Sequence, residues 1–175
     1  MRNNSTSAIF TLILICCFSL SSVNIVTAQE NGIYELTEDN QSSKQIASKK
    51  GNSNDRAEFY NLSQKLHSTF YYENNKLKNK YGDGSPLRLN LEDINSFSAI
   101  NKNDTQFNDI QIITVSLKNE NDLNKILDVS NMPGFSSLKY IFIRCHFNCD
   151  ALKIRKFIKK SDRNIRVFYT TDRPS

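Results

Sequence analysis

The chain has no tryptophan, three prolines, five glycines and two histidines in 175 residues. The glycines do not form a phosphate-cradling loop or a dinucleotide fingerprint. The two histidines, His67 and His146, stand in no zinc-protease helix, and no Ser-His-Asp signature is present. Glu92, Asp93 and Asp172 are carboxylates without a partner that would mark two-acid hydrolysis. These absences argue against an ordinary enzyme and imply no cofactor. The chain also has no apolar run that reaches the roughly 20 residues a membrane-spanning helix needs.

The longest apolar run, Ala8 to Leu20, follows a single positive charge at Arg2 and precedes small and polar residues ending Val26-Thr27-Ala28. Basic start, short apolar core and small residues at −3 and −1 are the layout of a secretory signal peptide. Residues 1–28 are therefore expected to be removed between Ala28 and Gln29, leaving a chain with no transmembrane segment. The richness in Asn, Lys and Ile suits an AT-rich bacterial genome, so the expected location is periplasmic or secreted. Residues 29–57 are polar, with little to bury, and are expected to be a disordered linker. Residues 58–175 then form a single α/β domain.

Within 57–81, Phe59, Leu62, Leu66, Phe70, Leu77 and Tyr81 fall at helix-like spacings, which predicts an N-terminal amphipathic helix with Asp55 as N-cap and Gly82 as stop. Tyr71 and Tyr72 join Phe70 as its aromatic cluster. Gly82 to Pro86 is a turn. Leu87, Leu89 and Leu91 alternate with polar residues as a short strand. Residues 101–108 read as a loop, 110–117 as a strand, 119–129 as a short helix broken at Met132-Pro133-Gly134, 138–144 as a strand, 150–160 as a helix and 165–170 as a last strand. The expected fold is a small parallel β-α-β-α-β sheet of three to four strands.

The strand centres lie near residues 89, 113, 141 and 167, a spacing in the twenties. The phrase from Phe135 to Cys145, with Leu138, Tyr140 and Phe142 at strand positions, resembles one leucine-rich repeat. That resemblance implies an alternative architecture, a degenerate solenoid fragment.

Four cysteines divide evenly, since Cys16 and Cys17 leave with the signal peptide. Cys145 and Cys149 remain, four apart, between a predicted strand and a predicted helix. In an exported protein such a pair is expected to form a structural disulfide. A thiol at a helix start could instead be ionised by the macrodipole and act in redox exchange. The strand-cysteines-helix order resembles thioredoxin-like proteins, whose pair has two intervening residues where this chain has three. Three intervening residues resemble the SCO-type copper chaperones. That resemblance implies Cys145 and Cys149 as thiolate ligands, His146 as a weak third candidate and His67 as the distant histidine.

Residues 139–175 carry ten Lys or Arg against three Asp. Lys153, Lys156, Lys159, Lys160 and Arg163, with Arg155 and Arg166, form a basic C-terminal cluster that could hold an anionic surface. The alternative is a solvated helix face whose cations complement the helix C-terminus. No nucleic-acid motif is present. The leading expectation is an exported non-enzymatic domain that binds or scaffolds at the cell envelope, its partner an envelope protein or an anionic surface. The rivals are thiol-redox or copper handling by Cys145 and Cys149, and anionic-surface binding by the basic helix.

Overall fold

The computed structural model describes residues 33–36, 53–159 and 165–171. The expected signal peptide and its expected cleavage site, residues 37–52, Lys160 and Arg163 lie outside the described residues. The elements are β1 (Ile33–Glu35), α1 (Ser53–Gln64), β2 (Thr69–Glu73), β3 (Lys76–Tyr81), β4 (Arg88–Leu91), β5 (Ile112–Leu117), β6 (Leu127–Asp128), β7 (Tyr140–Cys145), α2 (Ala151–Phe157), β8 (Ile158–Lys159) and β9 (Arg166–Thr171). Short 3₁₀ helices occupy Ile94–Asn101, Thr105–Phe107 and Glu120–Asn124.

The expected α/β class is observed, in a larger form than the sequence suggested. Seven strands make one sheet in the order β1-β9-β7-β5-β4-β2-β3, and β6 and β8 pair separately. Every neighbouring pair in the large sheet is parallel except β2 and β3. The central strands, IITVSL and YIFIRC, are almost wholly buried, as parallel strands covered on both sides must be. Leu89, Leu91, Ile113, Val115, Leu117, Ile141, Ile143, Val167 and Tyr169 point to one face, where they meet Phe97, Ile100, Phe107, Phe135 and Phe157 of the connecting segments. Ile112, Tyr140, Phe142 and Phe168 point to the other face, against Phe59 and Leu62 of α1.

α1 is held there by one aromatic side chain. Phe59 stacks on Phe168 with ring centroids 4.0 Å apart and meets Tyr140 and Phe142 edge-on. The preceding residue, Glu58, accepts from the Tyr140 hydroxyl at 2.9 Å and pairs with Lys139. This covered second face, together with the antiparallel β2–β3 pair, is why the chain is a two-sided sheet and not the solenoid fragment considered above.

The expected helix over 57–81 is corrected. The helix ends at Gln64, and 69–81 is the β2–β3 hairpin. Asn74 and Asn75 both have positive φ, 51° and 61°, which is the backbone of a two-residue hairpin turn that Asn tolerates. The turn is docked, its two N–H groups donating to Asp93 Oδ2 at 2.7 Å and Ser96 Oγ at 3.1 Å. Asp55 lies inside α1 rather than at its cap.

Other boundaries also move. The expected loop at 101–108 runs from the end of one 3₁₀ helix and holds a second at Thr105–Phe107, and 119–129 holds a 3₁₀ turn capped by Asn119, then β6, in place of a helix. The helix expected to run to residue 160 ends at Phe157, where the chain becomes β8. The linker expected over 29–57 supplies β1, which pairs in parallel with β9, and the start of α1. The short triplet Ile33-Tyr34-Glu35 finds in the sheet edge the partner that its own neighbours cannot provide.

Candidate functional site

The β7–α2 loop carries the cysteines. Cys145 ends β7 and Cys149 precedes the helix, and both are buried thiols outside any disulfide. The cross-link expected from sequence is not formed. The loop is tied instead by Thr171, whose hydroxyl donates to the Phe147 carbonyl at 2.7 Å and accepts from the Cys149 N–H at 3.0 Å. Burial pushes the Cys149 thiol up, with a side-chain hydrogen bond from Cys145 pulling the other way. The helix start does not ionise the sulfur. Asp150 is the N-cap, and its carboxylate accepts from the Lys153 N–H at 2.8 Å, placing a negative charge where the thiolate would have to form.

The histidines do not join the thiols. His146 is exposed beyond the end of β7, its N–H donating to the Leu117 carbonyl at 2.9 Å. His67 follows α1, its ring nitrogen 3.0 Å from both the carbonyl and the side-chain oxygen of Asn61. Among the described residues, no group of three or more His, Cys, Asp or Glu side chains could hold a metal ion.

The basic cluster is partly spent within the fold. Lys153 pairs with Glu120 at 2.6 Å and Lys159 with Asp128 at 2.7 Å. Both pairs are exposed, so each is a surface ion pair of small worth, yet each puts a carboxylate beside a cation that an anion would need. Lys156 and Arg155 are exposed on α2.

Sequence reasoning missed the polar strip on the α1 side of the sheet. Alternation places Arg88 and Asn90 of β4, Thr114 and Ser116 of β5, and Arg144 and Thr170 of β7 and β9 on the face that carries Ile112, Phe142 and Phe168. Register then brings them together. Tyr71 of β2, Asn90 and Thr114 lie side by side in one row, and Ser116, Arg144 and Thr170 in the next.

Asn90 and Thr114 are buried, and Asn90 Oδ1, Thr114 Oγ1 and Arg88 Nε have no hydrogen-bond partner. These are three of the five such atoms among the described residues, and Ser63 Oγ in the last turn of α1 is another. Arg88 reaches that end of α1, donating from Nη1 to the Lys65 carbonyl at 3.3 Å. Burial lowers the Arg88 pKa, Tyr71 raises it and the charge of Arg144 lowers it further. The two guanidiniums thus sense one another across the Asn90–Thr114 row. No carboxylate pairs with Arg144 among the described residues. An unpaired buried donor or acceptor costs about 1–3 kcal/mol. The three atoms on this face belong to one cation, Arg88, and two neutral side chains, Asn90 and Thr114, with Arg144 as a second cation in the next row.

Comparison with protein-family models, with curated proteins and with solved structures finds no match.

Proposed function

We propose that this chain is an exported, non-enzymatic binding module of the bacterial cell envelope, and that it presents the α1 side of its sheet to the ligand. The observation that carries this is the cluster of unpartnered polar atoms on Arg88, Asn90 and Thr114. Buried polar groups in folded proteins find partners, and a cluster that lacks them calls for an outside one. The signal-like N-terminus supports export. No described helix is long and apolar enough to cross a membrane. The thiol-redox and copper readings fit less well, because buried thiols with a raised Cys149 pKa are poor nucleophiles and poor metal ligands.

The test has two parts. Expressed with its own N-terminus in a bacterial host, the protein is expected outside the cytosol with Gln29 as first residue, by fractionation and terminal sequencing. Retention of Met1 in the cytosol would defeat the export claim. A thermal-shift panel of polar small molecules is expected to give a ligand whose stabilisation disappears in Arg144→Ala. Stabilisation that survives this change would place the site elsewhere.

A further inference from the structure

We propose that the strip between Arg88 and Arg144 binds the carboxylate of a hydroxylated sugar acid, with Asn90 and Thr114 hydrogen-bonding the sugar's hydroxyls. The proposal rests on the binding-module reading and names its ligand. Four features select this chemistry. First, two guanidiniums stand on one face, Arg144 has no carboxylate partner, and Arg88 keeps a buried N–H unspent. A guanidinium fork matches a planar carboxylate. Second, the unpartnered Asn90 Oδ1 is an acceptor and needs a donor from the ligand. A fully ionised phosphate, sulfate or bare carboxylate offers none, whereas a sugar hydroxyl does. Third, Thr114 Oγ1 both donates and accepts, as a hydroxyl-bearing ligand requires. Fourth, half-buried Tyr71 flanks Asn90 in register, and an aromatic face is what the C–H side of a sugar ring packs against.

Access runs along the same strip. Arg144 is exposed and Tyr71, Arg88, Ser116 and Thr170 are half-buried, so the residues that surround the buried pair in register reach the surface. The basic α2 is a poorer anion site, since Lys153 and Lys159 already face carboxylates.

The experiment is calorimetric titration of the purified full chain with trigalacturonate, maltotriose, inorganic phosphate and a triglutamate peptide. Trigalacturonate is expected to bind at least ten-fold more tightly than the other three. Raising NaCl from 0.05 M to 0.5 M should weaken it at least five-fold, because part of the attraction is screened. Arg144→Ala should weaken it at least ten-fold with the thermal midpoint unchanged, since Arg144 is exposed. Thr114→Val, close in shape, should weaken it at least three-fold. Where Thr114→Val fails to fold, Arg88→Lys serves, which keeps the charge and loses the fork.

Triglutamate bound as tightly as trigalacturonate would overturn the sugar assignment. Equal binding of maltotriose would overturn the carboxylate. In either case, loss of that binding in Arg144→Ala would leave the module reading standing. Binding of trigalacturonate unaffected by Arg144→Ala and Thr114→Val would overturn the site itself. Failure of all four probes, with only ordered water on Asn90 and Thr114 in a crystal grown with trigalacturonate, would overturn the proposal and remove the support for the binding module.

Discussion

Removing the Phe59 ring tests how α1 is fastened to the sheet. Phe59 is fully buried, stacks on Phe168 at 4.0 Å and touches Tyr60, Tyr140 and Phe142 at centroid distances of 5.7, 5.7 and 5.5 Å. A Phe→Ala change at such a site costs about 3–5 kcal/mol, the transfer of the ring plus the cavity left behind. The upper half of that range applies here. The walls are other rings, most of them fixed on two strands, β7 and β9, and cannot collapse into the space. In a domain of this size each kcal/mol lowers the thermal midpoint by roughly 2–4 °C, so a loss of about 4–5 kcal/mol should lower it by about 8–20 °C. Urea unfolding followed by tyrosine fluorescence and by far-ultraviolet dichroism gives the free energy directly. The two probes should coincide and the slope should stay that of the parent. Lys139→Ala is the control, because its partner Glu58 is exposed and an exposed ion pair is worth about 0–1 kcal/mol. A loss below about 1 kcal/mol for Phe59→Ala would refute the placement of α1 on this face.

Four further outcomes follow from named contacts. Gly134→Ala should lose about 1–3 kcal/mol in the same urea assay, because a Cβ there would sit 2.7 Å from the Asp104 carbonyl oxygen; an unchanged midpoint would show that the loop gives way. Asn75→Val should cost about 1–2 kcal/mol, since φ is 61° and a β-branched residue resists that backbone; equal stability would mean that the hairpin turn is not of this type. Cys145 and Cys149 should react with an aromatic disulfide reagent far more slowly in the native protein than in urea, both being buried, and immediate two-thiol reaction at neutral pH would revive the redox reading. Asp128 is held down to about 2, from 3.8, chiefly by the hydrogen bond from Lys159 and then by those from Ser130. Its folded value is below its unfolded one, so its stabilising effect is complete above about pH 4 and is lost as pH falls towards 2. Thermal midpoints between those limits should fall more steeply for the parent than for Asp128→Asn, and parallel curves would deny the coupling.

The strands that could be read from sequence are those whose burial shows locally. The runs in β5 and β7 are nearly continuous in apolar residues, and the alternation of Leu87, Leu89 and Leu91 marks β4. The hairpin was misread because Phe70, Leu77 and Tyr81 happen to extend the stripe of Phe59 and Leu62. The seven-residue gap between Phe70 and Leu77, filled by two tyrosines and Asn74-Asn75, was the signal that the helix had ended. β1 was hidden for another reason, since three residues hold no periodicity and their partner lies at the far end of the chain. The polar strip was out of reach in principle. Arg88, Asn90, Thr114, Ser116 and Arg144 sit on three strands, and only parallel register makes them neighbours. Conversely, Lys153 and Lys159 look free in sequence because their carboxylates, Glu120 and Asp128, lie some thirty residues away.

The pairing of β1 with β9 has a consequence for how the chain comes into being. From β2 onwards, each parallel strand lies beside the next one in sequence, so the sheet can grow as the polypeptide emerges. β1 breaks that order. It is made first, yet the strand it must pair with is the last, and Ile33 waits for Val167. Until the end of the chain is available, β9 is absent and the β7 edge stands open. Closing so long a loop also costs entropy that only the finished sheet repays. A polypeptide of this design cannot finish folding while it is still being made, and it therefore stays threadable for as long as its own C-terminus is missing. That delay would suit the export proposed above, in which the chain is threaded through a membrane before it folds.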